Sequence, residues 1–394
     1  MIAKPLLTSC LIFLTATACT NKELLSINID KDSPVTWDAK EQCIVVISDG
    51  YFFDTISAGI KCRGGISARY DKHSFSVELD KKYKFSNIPE DDDWILNANY
   101  IDKTFMRHKI CYDIFREMNP RNVASQSSYC NMSENGEYLG LYVIMQEINA
   151  KTAGLNKTDS LAMIFKDPPV FYRERMGYVQ DSLNYYQQKF PKIQERDCTK
   201  YIEEFKDFLF TSSDQQFADS ISTWIDINNV MDWHILLLFT NNSDGIMKNF
   251  YLYKTDHSSP FRIAIWDYDH SFGRDGDNEL TEDASKIDCS RSVLLDRLLN
   301  IEETNYRVRL KNRWKELRDD RIISIKNFKH HIDRNHEIIK GQLDKNFNKW
   351  PVDSKWYYDD GNYNDEVELM INFTKKRISE LDMYFSKIEN HSHL

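Results

Sequence analysis

The sequence lacks three features that would narrow its function. After Cys19 it has no apolar run of the roughly 20 residues that a membrane-spanning helix needs. Its cysteines show no Cys-x-x-Cys spacing, which argues against a zinc site. It has no excess of basic residues, since 51 Lys and Arg stand against 61 Asp and Glu, a net charge of −10. Neither nucleic acid nor an anionic membrane surface is therefore expected as a partner.

Aromatic residues are plentiful by contrast, and 21 Tyr and 22 Phe favour a packed globular chain over disorder. Residues 1–18 contain Lys4, an apolar run and small residues before Cys19. This pattern predicts a bacterial lipoprotein signal peptide, with lipid on Cys19 as the only membrane anchor. A plain cleaved signal is the alternative. Residues 19–35 are polar and predict a tether, and the predicted location is the cell envelope, with the outer membrane favoured.

The next hundred residues are strand-like. Two strand patterns flank the segment 63–73, which contains Gly64-Gly65 between basic residues and suits either a phosphate-binding loop or an ordinary turn. Residues 90–93 are acidic and predict a solvated turn. A helix is predicted over 103–118, and Asn135-Gly136 between apolar runs predicts a β-hairpin.

The stretch 240–273 contains the candidate catalytic and metal-binding residues. Asp244 is followed by Asn249, then by two apolar runs that read as a β-hairpin, and the second run ends in Asp267-Tyr268-Asp269. Protein kinases place a catalytic base, a metal-binding Asn and a metal-binding Asp in this order. This interpretation requires the hairpin, because only a chain that folds back brings Asp267 close enough to Asn249 to share a metal ion. The alternative is an ordinary Asp-Gly turn and a strand cap.

The remaining sequence is less specific. Residues 150–200 show no long regular period and are interpreted as a connection with an irregular insertion. Residues 226–239 predict a buried helix, almost wholly apolar in its last turns, that ends beside Asn241 and Asp244. His234 in that helix is predicted to be a histidine of the core or one that supports the site from behind, and not a catalytic one. Further helices are predicted from residue 291 to the end of the chain.

Five linked motifs resemble the CotH family of atypical kinases. They are KCRGGISARYDKHSFSVEL, WILNANYIDKTFMRHKICYDI, NGEYLGLYVIMQEI, NSDGIMKN and WDYDHSFG, in this order over about residues 60–273. The resemblance implies an α+β, diverged protein-kinase-like fold of two lobes. A mainly β N-lobe would span 36–150 and a mainly α C-lobe 151–394.

The resemblance also implies roles for individual residues. Asp244 is the catalytic candidate, the metal candidates are Asn249, Asp267 and Asp269, and the nucleotide candidates are Arg63, Lys72 and Glu147. Glu147 would line the adenine pocket or orient the lysine. Arg107 falls in the predicted N-lobe helix, and no helix glutamate paired with a lysine can be named, which departs from ordinary kinases.

Three functions are compatible with these sequence features. The first is an extracytoplasmic kinase that uses ATP with Mg²⁺ or Mn²⁺ to phosphorylate a protein Ser or Thr hydroxyl. The second is a surface binding or structural lipoprotein with a catalytically weak kinase fold, because little ATP is available outside the cytoplasm. The third interprets Asp267-Tyr268-Asp269 as the DxD motif of a glycosyltransferase, in which Asp244 and Asn249 have no role.

Overall fold

The structure is a computed structural model that describes residues 24–50, 52–172, 183–274, 287–351 and 361–389. The described residues up to 146 form seven strands and one α-helix. The strands are β1 (Ser26–Asp30), β2 (Glu41–Ser48), β3 (Phe53–Arg63), β4 (Ser74–Tyr83), β5 (Asp91–Asn97), β6 (Ser127–Glu134) and β7 (Glu137–Gln146), and the helix is α1 (Arg107–Met118). The predicted hairpin is confirmed: Asn135 and Gly136 join β6 to β7, both with the positive φ that this two-residue turn requires.

The seven strands close into a barrel in the order β1-β2-β3-β4-β5-β7-β6. Closure depends on β1, which pairs antiparallel with β2 and parallel with β6. Alternate residues such as Val45 and Ile60 point inward and form an apolar core. The tether predicted over 19–35 is therefore wrong over β1, where Ile27 and Ile29 are buried in the barrel.

The acidic segment 90–93 is not the solvated turn that was predicted. Asp91 begins β5, is 1% exposed and lies 3.7 Å from Lys151 Nζ. Loss of hydration, followed by the charge of Glu147, raises the pKa of Asp93 to about 6. Pairing of β5 with β4 and β7 thus outweighs the poor strand propensity of three consecutive aspartates.

The second part of the chain combines a small sheet with helices. The strands β8 (Met163–Lys166), β9 (Gln188–Phe190), β10 (Phe250–Lys254) and β11 (Arg262–Ile265) form one sheet in the order β11-β10-β8-β9. The helices are α2 (Thr199–Thr211), α3 (Asp214–Trp224), α4 (Ile227–Thr240), α5 (Val293–Asn300), α6 (Tyr306–Asp319), α7 (Ile325–Ile339), α8 (Leu343–Lys349) and α9 (Tyr363–Ser386). The mixed architecture confirms the α+β class. The closed barrel was not predicted, nor were β8 and β9 within 150–200.

Helix α4 is the buried helix predicted over 226–239. The Asp226 carboxylate caps it by accepting two backbone N–H groups of the first turn, at 3.0 and 3.2 Å. Asn241 ends it with a φ of 57°. His234 is 1% exposed, and burial lowers its pKa to about 4, which confirms a neutral core histidine. The helix thus holds the start of the 240–249 segment in the core.

Within the described residues, no helix is both long and apolar enough to span a membrane. Residues 1–18 and Cys19 lie outside the described part of the chain, so the lipoprotein signal and the lipid anchor stay predictions. The six later cysteines are all described, and none of them forms a disulfide.

Candidate active site

The β10–β11 hairpin brings Asn249 and Asp267 together. Phe250 pairs with Ile265, and beyond that pair the Trp266 N–H donates to the Asn249 carbonyl at 2.9 Å. The Asn249 amide Nδ2 then donates to the Asp267 carbonyl at 3.0 Å. Both residues have positive φ, 66° and 57°, a conformation that Asn and Asp tolerate better than most residues. Because Nδ2 is engaged in this bond, Oδ1 is the Asn249 atom left to bind a cation.

Three side chains form a compact group beside this bond. Ligand atoms of His108, Asp267 and Asp269 all lie within 4.8 Å of one another. The pKa of Asp267 is raised, first because protein atoms displace part of its hydration and next because Asp269 is negatively charged. At Asp269 loss of hydration raises the pKa, but the interactions with His270 and His108, together with the hydrogen bond from the His270 backbone N–H, outweigh it and lower the pKa overall. Two carboxylates and an amide oxygen are ligands that suit Mg²⁺ or Mn²⁺.

Asp244 lies on the neighbouring turn, outside that group. Its carboxylate is 38% exposed and pairs with Lys248 Nζ at 2.9 Å. The turn packs closely on residues 267–271 (the aspartate loop), because a Cβ on Gly245 would lie 3.3 Å from Tyr268 Oη. It also packs on α4, where the same Cβ would lie 2.5 Å from Leu237 Cδ2. Any larger residue at 245 would require Leu237 to move. The partly exposed carboxylate is therefore held next to the loop that carries the metal candidates.

Helix α1 supports the aspartate loop from behind. Tyr112 Oη accepts the Asp267 backbone N–H at 3.0 Å. One turn earlier, His108 Nδ1 accepts the Tyr268 backbone N–H, also at 3.0 Å. The spacing of i and i+4 places both side chains on one face of α1. These two bonds fix the direction in which the Asp267 side chain leaves the backbone.

A buried charge network extends this support. Arg107 Nε donates to the Ser271 carbonyl at 3.0 Å, and its guanidinium pairs with Asp102 at 2.8 Å and Glu366 at 2.9 Å. Arg274 also pairs with Glu366. All four charged residues are at most 3% exposed. The network joins the start of α1, the start of α9 and the end of the aspartate loop.

Basic side chains line the barrel side of the site. The Arg63 guanidinium lies 5.4 Å from the centre of the Trp266 ring, next to Asp267 in sequence. Lys166 Nζ, at the end of β8, lies 5.7 Å from the same ring and 5.9 Å from that of Tyr251. The charge of Lys166 acts on the Asp267 carboxyl. Arg63 and Lys166 thus place two positive charges around Trp266, beside the metal candidate Asp267.

Lys72 does not lie there, which corrects the prediction of a phosphate-contacting lysine. Its ammonium donates to the carbonyls of Ala98 and Leu141 and to Asn346 Oδ1 on α8. Burial lowers the pKa of Lys72 well below its ordinary value. A Cβ on Gly140 would lie 2.8 Å from Lys72 Cε, so glycine is needed to seat the side chain. Lys72 joins the barrel to α8 instead of facing the site.

Glu147 follows β7 and is half-buried. Burial, and next the charge of Glu147, raises the pKa of Tyr251. The Tyr251 ring meets that of Trp266 edge-on at 5.8 Å. Glu147 therefore lies on the same side of the site as Arg63 and Lys166.

The sequence model of the CotH kinase protein family matches residues 60–381, which is most of the chain. The chain belongs to the CotH kinase family. Inner spore coat protein H of Bacillus subtilis (strain 168) is 24% identical over 220 residues, which cover 55% of this chain and 59% of that protein. The chain thus spans less than two thirds of the length of this curated CotH relative.

A solved structure aligns over a larger share. The crystal structure of the Helicobacter pylori proinflammatory kinase CtkA covers 79% of this chain and 93% of its own, at 10% identity and a TM-score of 0.31.

Several residues at the site of this CotH family member were missed from the sequence. His108 and Tyr112 share a helix face and Lys166 ends a short strand, yet only the tertiary structure shows what they face. Asp167, with a φ of 48°, was also missed, and its Oδ1 accepts the Phe250 N–H at 3.1 Å. The available signals were the i and i+4 spacing on α1 and the polar pair Lys166-Asp167 after an apolar run.

Proposed function

We propose that this CotH family member transfers the γ-phosphate of ATP, with Mg²⁺ or Mn²⁺, to a Ser or Thr hydroxyl of a protein. The observation that carries the proposal is the convergence of Asn249, Asp267 and Asp269 beside the turn that holds Asp244. Kinases need a cation at the phosphates and a carboxylate at the hydroxyl, and this arrangement supplies both.

The roles follow from the positions. The oxygens of Asn249, Asp267 and Asp269 would hold the cation, which neutralises charge on the phosphates. Asp244 orients the acceptor hydroxyl and takes its proton as the new oxygen–phosphorus bond forms. The bond between the γ-phosphorus and the bridging oxygen breaks, and ADP leaves with the bonding electrons.

On the barrel side, we assign the phosphate contacts to Arg63 and Lys166 and not to Lys72. Arg63 and Lys166 both lie near the Trp266 ring and supply positive charge there. Among the ion pairs of the described residues, none occupies the Lys166 ammonium. Glu147 is the adenine-side candidate. In this proposal the barrel serves as the N-lobe of a diverged kinase-like fold, and the part from 151 onward serves as the C-lobe.

We further propose that lipid on Cys19 holds the protein in the cell envelope, with the outer membrane favoured, where a protein would be its substrate. Membership of the CotH kinase family removes the support for a DxD glycosyltransferase. The binding-protein hypothesis remains the alternative outcome of the assay below.

The assay incubates the full chain with γ-labelled ATP, Mg²⁺ or Mn²⁺ and casein as acceptor. We expect Asp244→Asn to lower the transfer rate by about 10²–10⁴, the usual contribution of a general base. Asp267→Asn should lower the affinity for Mn²⁺ as well as the rate. Asp319→Asn, an exposed aspartate of α6, is the matched control and should leave both unchanged.

The results separate the hypotheses. Transfer that persists in Asp244→Asn would remove Asp244 from its role. Wild-type protein that binds neither nucleotide nor cation would favour a binding protein, and nucleotide binding without transfer to any acceptor would mean a catalytically weak fold.

A further inference from the structure

The group formed by His108, Asp267 and Asp269 has the composition of a transition-metal site. One imidazole and two carboxylates lie within 4.8 Å of one another, and His108 Nε2 is 3.9 Å from Asp267 Oδ1. Histidine is a common metal ligand through either ring nitrogen. Whether His108 belongs to the ligands decides what kind of cation the site suits.

The hydrogen bond at the other ring nitrogen, Nδ1, indicates whether His108 can be a ligand. His108 Nδ1 lies 3.0 Å from the Tyr268 backbone nitrogen, and a backbone N–H can only donate. Nδ1 must therefore present its lone pair to that N–H. In the neutral ring the proton is then on Nε2, the nitrogen that faces Asp267. The Nε2 lone pair that a metal would need is occupied by this proton.

Histidine ligands of metals show the reverse arrangement. They give one lone pair to the metal and donate the other ring N–H to a carboxylate or carbonyl. To ligate through Nε2, the ring of His108 would carry its proton on Nδ1, facing the Tyr268 N–H. Tyr268 is fully buried, so this backbone N–H would lose its hydrogen-bond partner, which is unfavourable.

We propose that His108 stays outside the coordination sphere, with its Nε2–H directed toward the Asp267 carboxylate 3.9 Å away, so that the cation is held through oxygen atoms only. The inference rests on the cation site of the proposed function. His108 is thus a positioning residue: it binds the loop backbone at Tyr268 and orients the Asp267 carboxylate. An oxygen-only ligand set suits Mg²⁺ and Mn²⁺ over metals that prefer imidazole.

Electron spin-echo envelope modulation of Mn²⁺ bound to the full chain tests this directly, because a coordinated imidazole nitrogen couples strongly to the metal electron spin. We expect no such coupling in the wild type.

Metal affinity alone does not distinguish a ligand from a positioning residue, since loss of an outer-shell partner typically also costs about 10–100-fold in metal affinity. We expect a loss in this range for His108→Ala, and a smaller one for His108→Gln, whose amide can still accept one N–H and donate another.

Nitrogen coupling in the wild type that disappears in His108→Gln would overturn the proposal. His270 is the matched control, because its Nε2 lies 3.7 Å from Asp269 Oδ1. Coupling that disappears only in His270→Gln would overturn the oxygen-only ligand set. If Mn²⁺ does not bind the wild type at all, the cation site of the proposed function fails, and this inference fails with it.

Discussion

The interior of the barrel and the junction around α1 are both buried, but they are built from opposite kinds of side chain. The barrel core consists of apolar residues, with Val45 and Ile60 at most 1% exposed. The junction buries Arg107, Asp102 and Glu366 at 2% exposure or less. The barrel is stabilised by close packing, whereas the junction is stabilised only while every charge keeps its partner.

This difference separates scaffold from site. An apolar core tolerates small changes of shape at a moderate cost. A buried ion network fixes the positions of particular atoms, here the Ser271 carbonyl and the Glu366 carboxylate at the start of α9. We infer that this network holds the aspartate loop in place. The predictions below test whether the two regions respond as differently as their composition implies.

The largest effect is expected at Arg107. Arg107→Met leaves two buried carboxylates without their shared partner and should lower the free energy of unfolding by about 3–5 kcal/mol. Ile60→Val in the barrel should cost only about 0.5–1.5 kcal/mol. Urea unfolding of both variants measures the difference. Equal losses of unfolding free energy would show that the buried charges of the junction are no more sensitive to substitution than the apolar core of the barrel.

The next effect is a pH dependence from His234. Its folded pKa of about 4 lies below the unfolded value near 6.5, so the unfolded state binds the proton first as the pH falls. Stability should therefore decrease between about pH 6.5 and pH 4, by about 3 kcal/mol from this residue. His234→Phe should remove that part of the decrease. Urea unfolding at pH 7 and pH 4.5 checks it, and an unchanged decrease in the variant would contradict it.

The smallest effect compares two lysines. Lys166→Met should weaken ATP binding about tenfold or more, because a charge-assisted hydrogen bond contributes about 1.5–3 kcal/mol. Lys72→Met should leave ATP affinity within about twofold, since its ammonium is occupied by neutral oxygens of the barrel and α8. Equilibrium binding of ATP to the two variants decides it. The reverse order would restore Lys72 as the phosphate lysine.

Local patterns were enough for much of the fold. The Asn135-Gly136 hairpin, helix α4 and the β10–β11 hairpin could be predicted because turn chemistry and apolar periodicity act over short distances. Strand β1 and strand β5 could not, because their polar or acidic sequences become strands only through pairing with distant neighbours.

The candidate site divides in the same way. Asn249 and Asp267 could be placed together because a hairpin joins them within 18 residues. The roles of Lys72 and Lys166 could not be assigned, because both are lysines beside strands and only their surroundings differ. His108 was missed since α1 is distant in sequence from the aspartate loop that it supports.

The sequence by itself determined the order of the chemical groups: a carboxylate, an amide, a hairpin and a carboxylate pair, whose proximity follows from chain connectivity. Tertiary structure alone decided the closure of the barrel through β1, the burial of Lys72 and the contacts of α1 with the aspartate loop. The physical reason is that these features depend on burial and on pairing between distant segments, and neither is encoded in the residues next to the group concerned.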